Sequence, residues 1–112
     1  MLRLSVSKKV LHYQTETGKI PYREWIDSLK DKLGKAHILD RIDRAEDGNL
    51  GKHRSVGGGV VELKIDFGPG YRVYLGQVGD EMIILLCGGD KRTQDKEIRL
   101  AQKYWEDYRR RT

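Results

Sequence analysis

Residues 60–89 read VVELKIDFGPGYRVYLGQVGDEMIILLCGG, and this stretch decides the fold. Its apolar residues first alternate with polar ones and then run together, which is typical of strands, the last of them covered on both faces. Gly68-Pro69-Gly70 and Gly79-Asp80 divide the stretch, because both combinations favour turns, the second a two-residue hairpin. We therefore predict three consecutive antiparallel strands over 60–66, 71–78 and 82–87, the last ended by Gly88-Gly89.

Helical patterns precede these strands. Pro21 stands at a favourable first helical position, and apolar residues follow at intervals of three and four as far as Leu33. Gly34 is predicted to separate this helix from a second one, for which Gly48 is a suitable C-terminal cap. Two short helices joined by a tight connection form a helical hairpin.

A third helix follows the strands and completes the domain. Thr93 is its candidate cap, and Trp105 lies on its apolar stripe as Trp25 does on the first helix, so we expect both tryptophans in the core. A short strand over 10–13 precedes everything else. The order β-α-α-β-β-β-α predicts an α+β fold of two N-terminal helices, an antiparallel sheet of about four strands and a C-terminal helix. We expect residues 1–112 to form a single domain.

Composition limits the possible partners. Lysine and arginine total 22 against 17 aspartate and glutamate residues, so the net charge is +5, which favours nucleic acid, an acidic protein segment or a membrane surface. The three histidines are scattered and Cys87 is the single cysteine, so neither zinc-site spacing nor an intramolecular disulfide exists. We expect Cys87 to be a small core residue.

Targeting signals are not evident in the sequence. The longest apolar run, 82–87, is far shorter than the roughly 20 residues of a membrane helix. Residues 1–13 lack an apolar stretch followed by a cleavage site. We therefore expect no signal peptide, no membrane association and a cytoplasmic location.

The strands carry the first candidate site. Lys64 and Arg72 each lie opposite the apolar face of their strand, and they share one face if the loop around 68–70 has three or five residues, or if a bulge intervenes. Lys91 and Arg92 follow the last strand. Such a cluster would cradle a phosphate and stabilise the charge that develops on it. The alternative is that these cations simply line the solvated face of a half-exposed sheet.

Other basic and glycine-rich stretches have weaker signals. Lys52-His53-Arg54 is predicted to lie in a basic loop, where His53 is either a general base near neutral pH or a solvated side chain. Gly57-Gly58-Gly59 matches no phosphate-binding motif, because no helix follows it, and is predicted to be a flexible hinge. Arg109-Arg110-Arg111 is either a solvated tail or a contact to RNA or an acidic partner.

Several short motifs occur together in an order and spacing that match one family. They are Gly18-x-x-Pro21-Tyr22-x-x-Trp25, Glu62-Leu63-Lys64-Ile65, Gly68-Pro69-Gly70-Tyr71-Arg72-Val73-Tyr74, Leu85-Leu86-Cys87-Gly88-Gly89-Asp90-Lys91, Gln94-Asp95 and Ile98-x-x-Ala101. Through them the chain resembles the RelE/ParE toxin superfamily over nearly its whole length, and most of all its HigB-like branch, which includes phage members.

The resemblance implies the toxin of a type II toxin–antitoxin system. RelE-like members cleave mRNA in the ribosomal A site without a metal or other cofactor, through attack of a ribose 2′-hydroxyl on the adjacent phosphate. Carried over by position, the catalytic residues would be Lys64, Arg72 and Lys91. Arg72 would bind the phosphate, and Lys64 would transfer a proton or stabilise charge. Lys91, with Arg92, would bind the RNA backbone. Further RNA contacts are expected from Lys52, His53, Arg54, Tyr74, Arg92 and Gln94.

The chain also departs from RelE. Ile98 stands near the position of a helix tyrosine in RelE, so the resemblance leaves the general acid to Gln94 or Tyr74. Glu62 stands where some relatives have a second lysine, which makes the sheet less basic. These departures fit a slower or differently specific nuclease.

Three functions remain open from the sequence. The first is the ribosome-dependent endoribonuclease, which the conjunction of Lys64, Arg72 and Lys91 favours. The second is a ParE-like inhibitor of DNA gyrase, and the third is an inactive nucleic-acid-binding relative. The expected partners are the ribosome with its mRNA and a HigA-like helix-turn-helix antitoxin, through which the toxin–antitoxin complex would bind operator DNA.

Overall fold

A computed structural model describes residues 7–112. Residues 1–6, part of the stretch 1–13 that we searched for a signal peptide, lie outside this range. The chain is α+β, with two N-terminal helices, a five-stranded sheet and a C-terminal helix. In chain order the elements are β1 (Lys9–His12), α1 (Pro21–Ser28), α2 (Lys32–Glu46), β2 (His53–Ser55), β3 (Val60–Ile65), β4 (Tyr71–Val78), β5 (Met82–Asp90), a 3₁₀ turn (Lys91–Thr93) and α3 (Gln94–Arg111).

The sheet has the order β1-β5-β4-β3-β2, and its two edges differ from the sequence prediction. The predicted basic loop contains a strand, because His53–Ser55 pairs antiparallel with β3. The first strand pairs with β5 in parallel, so the sheet is not purely antiparallel. Five strands therefore replace the four expected, and the central three form the predicted antiparallel meander.

The turns between the central strands set the register. The loop between β3 and β4 has five residues, 66–70, so Lys64 lies directly opposite Arg72 and the condition for a shared face is met. The β4–β5 connection has three residues, 79–81, rather than the two predicted, since Val78 pairs with Met82. A register shift between Tyr74 and Leu75 adds a bulge to this pair of strands.

The helical hairpin turns earlier than Gly34. The first helix ends at Ser28, and Asp31 caps the second by accepting a hydrogen bond from the Gly34 N–H at 2.9 Å. Gly34 is therefore inside α2, where it is buried. A Cβ at this position would lie 2.6 Å from the Tyr71 ring, so close packing against β4 explains the glycine. The predicted cap at Gly48 is confirmed, with φ +93° and a hydrogen bond from its N–H to Ala45.

The two faces of the sheet carry separate cores. One core lies under α1 and α2, and the other lies under α3. Both tryptophans pack as predicted, Trp25 beside the first core and Trp105 within the second, and Cys87 is buried at 3% exposure. Gly88 continues β5 instead of ending it, because the strand extends to Asp90.

The C-terminal helix ends with Arg109, Arg110 and Arg111, all exposed, for which we expect either a solvated tail or a contact to RNA or an acidic partner. Arg111 lies in the last turn of α3, and its guanidinium donates to the Asp107 carboxylate at 2.7 Å and to the Gln14 carbonyl at 2.5 Å. Thr93 precedes the helix as predicted, but its hydroxyl bonds to Asp90 instead of to the helix N-terminus. Among residues 7–112, no helix is both long and apolar enough to cross a membrane.

Candidate nucleic-acid interface

Basic side chains form a row across the sheet. Lys64 on β3 pairs with Arg72 on β4, and the β2–β3 register continues so that the Lys64 N–H donates to the Lys52 carbonyl at 2.9 Å. Residues that are directly opposite in a sheet leave it on the same face. Lys52, Lys64 and Arg72 therefore line one face, and Gly89 follows them on β5. We call these three cations the basic row.

Arg72 is the most unusual member of the basic row, because it is only 7% exposed. One guanidinium nitrogen, Nη1, donates to the carbonyls of Gly70 at 3.0 Å and Tyr71 at 3.3 Å. The Nε atom is buried and has no hydrogen-bond partner among the described residues. Within residues 7–112 no carboxylate lies within 4.0 Å of this guanidinium. A buried cation without a counter-ion is costly, so the site suits an anionic ligand.

The guanidinium of Arg72 forms one wall of a cleft of about 330 Å³, together with Lys91 and the whole β3–β4 loop, residues 66–70. Lys91 is exposed and forms no ion pair within the described part of the chain. A Cβ on Gly70 would lie 3.2 Å from Arg72 Nη1 and 3.7 Å from Lys91 Cβ, which places both basic residues beside that glycine. We call this space the Arg72 cleft.

The Arg72 cleft also contains one carboxylate, that of Asp66. Its Oδ2 atom accepts a hydrogen bond from Lys52 Nζ at 2.9 Å. This hydrogen bond and the charge of Lys52, with smaller effects from Arg72 and Lys64, hold the pKa of Asp66 below its ordinary value. Lys52 thus offsets the negative charge of Asp66, and Lys64, Arg72 and Lys91 stay available to an anion.

Next to the basic row lies a fully buried carboxylate, Glu62, with three hydrogen-bond donors. Its Oε1 accepts from Arg54 Nε at 2.8 Å, and its Oε2 accepts from the Tyr74 hydroxyl and from Gln94 Nε2, both at 2.9 Å. Burial alone would raise the pKa of Glu62, but these hydrogen bonds and the charge of Arg54 outweigh it and lower the pKa. Glu62 therefore joins β2, β4 and the start of α3 beside the basic row.

The Glu62 network changes how several predicted RNA contacts are understood. Tyr74 is fully buried, and burial together with the Glu62 carboxylate raises its pKa, so its hydroxyl is committed to the interior. Gln94 and Arg54 likewise hold Glu62, although Arg54 keeps 49% of its side chain exposed. Arg54, Tyr74 and Gln94 therefore hold Glu62 in place beside the basic row. Tyr74 is buried, so its side chain is not exposed to RNA.

His53 and Arg92 lie apart from the basic row. His53 pairs with Leu63, whose side chain belongs to the core on the other face of the sheet, so His53 and the Lys64–Arg72 pair are on opposite faces. Its ring Nδ1 lies 2.7 Å from the Gly51 carbonyl oxygen. Arg92 is exposed and its guanidinium is paired with the Asp90 carboxylate at 3.0 Å. The geometry does not bring His53 to a phosphate on Arg72.

Arg41 is a supporting residue that sequence patterns did not single out. Its guanidinium donates to the Leu50 and Lys52 carbonyls, both at 2.8 Å, and to the Lys64 carbonyl. It thereby ties α2 to the backbone of two members of the basic row. Arg41 lies on α2, outside the strands that carry the basic row, so only the tertiary structure shows that it supports them.

Comparison with known proteins gives one relative and no family model. No family model matches the chain. An uncharacterized protein of Haemophilus influenzae is 48% identical over 83 residues, which are 74% of this chain and 84% of that protein. The match is long enough on both sides for the two chains to share a fold and a common origin.

Proposed function

We propose that this chain, which belongs to the same family as the Haemophilus influenzae protein, is a toxin that binds mRNA on the ribosome and cleaves it. One observation carries the proposal: Arg72 is buried, has an unpartnered Nε and lacks a carboxylate partner within the described residues. Lys64 lies directly opposite it, and Lys91 lines the same cleft. A phosphodiester would supply the missing negative charge.

Metal-independent RNA cleavage requires charge stabilisation at the phosphorus. The ribose 2′-oxygen forms a bond to phosphorus, the bond to the 5′-oxygen breaks, and a proton moves from the 2′-hydroxyl to the leaving oxygen. Between these events the phosphorane carries extra negative charge on its oxygens. In this proposal Arg72 and Lys91 hold those oxygens, and the Lys64 ammonium group stabilises the charge or supplies a proton.

The motifs shared with the RelE/ParE superfamily support the same function. The HigB-like resemblance assigns Lys64, Arg72 and Lys91 to catalysis. Arg72 and Lys91 line the Arg72 cleft, and Lys64 lies directly opposite Arg72 on the neighbouring strand. As such a toxin the protein would act in the cytoplasm and be held silent by a HigA-like helix-turn-helix antitoxin. The net charge of +5 suits both mRNA and an acidic antitoxin segment.

The test is mapping of mRNA 5′ ends after brief induction of the protein in cells. The native chain is compared with Arg72→Ala and with Arg99→Ala, which removes an exposed arginine on α3. We expect new 5′ ends within translated frames for the native chain and Arg99→Ala, and none for Arg72→Ala. Because Arg72 also holds the Gly70 carbonyl, circular dichroism and a melting curve must establish that Arg72→Ala is folded.

Three outcomes would contradict the proposal or its site. Growth arrest with intact mRNA would point to another target, such as DNA gyrase. Neither arrest nor cleavage would identify an inactive relative. Cleavage that persists in a folded Arg72→Ala variant would remove Arg72 from the site.

A further inference from the structure

A second cleft lies where one edge of β5 is left without a partner strand. Strand β1 pairs with residues 82–85 of β5 and no further, so among residues 7–112 no strand covers that edge at residues 86–90. A cavity of about 290 Å³ is found here, and its lining includes Cys87 and Gly88 of β5 together with side chains of α1 and α3. We call it the β5-edge cleft.

The β5-edge cleft contains a carboxylate that has no cation beside it. Glu97 is half-buried, and no basic nitrogen of the described residues lies within 4.0 Å of its carboxylate. A Cβ on Gly89 would lie 2.8 Å from Glu97 Cγ and 3.6 Å from Cδ, so this side chain lies over the space that the glycine leaves free. Partial removal of a carboxylate from water is costly, and a bound cation would offset that cost.

The lining of the cleft is negative although the protein as a whole is basic. Its one cation, Lys19, pairs with Glu24 at 3.4 Å, so the charge of Glu97 is left over and the lining carries a net charge of −1 in a chain of net charge +5. The Tyr104 hydroxyl also lines the cleft. Burial raises the pKa of this hydroxyl, and all three of these charges act on it as well, which places them around one space.

Two aromatic side chains, Trp25 and Tyr104, complete the lining. Each is held by a contact outside the cleft. The Trp25 ring lies where a Cβ on Gly88 would be, and the Tyr104 ring stacks on that of Tyr13 with centroids 5.0 Å apart. Aromatic rings attract cations. A guanidinium group is planar, less strongly hydrated than an ammonium group, and able to stack on a ring while it donates a forked hydrogen bond to a carboxylate. The lining therefore favours guanidinium among organic cations.

We propose that the β5-edge cleft binds the guanidinium group of a ligand, with Glu97 as its counter-ion and Trp25 and Tyr104 as its aromatic contacts. The volume of about 290 Å³ is close to the lower end of small-molecule sites, roughly 300–1,000 Å³, which suits one such group and its alkyl chain. The ligand is either an arginine side chain of a partner protein or a free alkylguanidine. The cleft shares no lining residue with the Arg72 cleft, so this site does not depend on RNA cleavage.

The test is an NMR titration of the isotope-labelled intact protein with ethylguanidinium. N-ethylurea, which has a similar size and shape but no charge, is the control ligand. We expect ethylguanidinium to shift the backbone N–H signals of Gly88 and Gly89 and the indole N–H signal of Trp25, and N-ethylurea to leave them unchanged. The indole of Trp105, which lies in the core under α3 and outside the cleft, is the internal reference and should not respond.

Two variants test the counter-ion. Glu97→Gln keeps the size of the side chain and removes its charge, and ethylguanidinium should bind to it about tenfold more weakly, because a charge-assisted hydrogen bond is lost. Glu106→Gln, which removes an exposed carboxylate of α3 outside the cleft, should bind as the native protein does. Glu24→Gln alters an exposed side chain and releases Lys19 into the cleft, so it should also weaken binding without affecting the fold.

The outcomes decide both the site and the source of the ligand. Equal affinities for ethylguanidinium and N-ethylurea would overturn the proposal, and so would an unchanged affinity in Glu97→Gln. An arginine-containing tripeptide with blocked ends distinguishes the two sources. Tighter binding of the tripeptide than of ethylguanidinium would support an arginine of a partner protein, and binding of ethylguanidinium alone would support a free alkylguanidine. Absence of mRNA cleavage in cells would remove the toxin proposal and leave this site unaffected.

Discussion

Lys64 and Arg72 are directly opposite each other on β3 and β4, and both side chains leave the sheet on the face that α3 partly covers. Like charges in such a pair repel each other, which costs roughly 0.2–1 kcal/mol. Within the described residues neither cation has a carboxylate within 4.0 Å. The free protein thus keeps two like charges on neighbouring strands, and an anion bound between them would remove the cost of that repulsion.

Lys64→Gln should therefore weaken RNA binding and change its salt dependence. Each cation that contacts a phosphate contributes about 0.7 to the slope of log affinity against log salt for a single strand, so the slope should fall by about that amount. The measurement is fluorescence anisotropy of a labelled single-stranded oligoribonucleotide over a range of salt concentrations. Lys96→Gln, which removes an exposed cation of α3, is the matched control, and an equal loss of slope in that variant would contradict a specific role for Lys64.

Tyr74→Phe should destabilise the protein although it removes a single oxygen. The Tyr74 hydroxyl donates to Glu62 Oε2 at 2.9 Å, and both residues are fully buried. A hydrogen bond to a charged group contributes roughly 1.5–3 kcal/mol, so the free energy of unfolding in urea should fall by about that amount. Tyr104→Phe is the control, since Tyr104 is only half-buried and its hydroxyl forms no hydrogen bond within the described part of the chain. A similar loss of unfolding free energy in both variants would mean that the hydrogen bond from Tyr74 to Glu62 does not stabilise the fold.

The central fold was predictable because its signals are local. Alternation in β3 and β4, the apolar run of β5 and the turn at 68–70 specify a meander without knowledge of the rest of the chain. The edges of the sheet were less predictable, since the strand expected over 10–13 gave no sign of its parallel pairing with β5, and β2 was expected to be a loop. Strand β2 has three residues, all exposed, and so shows no apolar alternation, while β1 pairs with β5 across some seventy residues of sequence.

The candidate site was predictable only in part for the same reason. The shared face of Lys64 and Arg72 followed from loop length and strand period, which are properties of one hairpin. From the sequence, Glu62 only made the sheet less basic. Its ion pair with Arg54 was not foreseen, because Arg54 lies on β2, a strand that sequence patterns did not reveal. The burial of Tyr74 also depends on α3, which covers that end of the sheet.

Gly88→Ala should be strongly destabilising because of Trp25. A Cβ on Gly88 would overlap the indole ring, so either the ring or β5 must move. Overpacking of this kind typically costs about 1–3 kcal/mol, and the melting temperature should fall accordingly. In a double-mutant cycle, Trp25→Leu should relieve part of the cost, giving a non-additive pair. Strict additivity of the two changes would show that the glycine is needed for another reason.

Glu97→Gln should stabilise the protein near neutral pH. Glu97 is half-buried on α3, and no cation lies within 4.0 Å of its carboxylate in the described residues. Burial raises its pKa, an effect that the positive charge of Lys96 only partly opposes. The folded state therefore holds the Glu97 proton more tightly than the unfolded state does. As pH rises from the ordinary pKa of glutamate through the folded-state pKa, this residue lowers the stability of the fold.

An uncharged amide avoids that cost, so the gain should be roughly 0.5 kcal/mol near neutral pH for a carboxylate that solvent still partly screens. The gain should shrink toward zero below about pH 4, where the native glutamate is protonated in both states. Urea unfolding at the two pH values measures it, and Glu106→Gln on the exposed side of α3 serves as the control. A gain for Glu97→Gln that does not depend on pH would come from packing, and would mean that ionisation of Glu97 does not oppose folding.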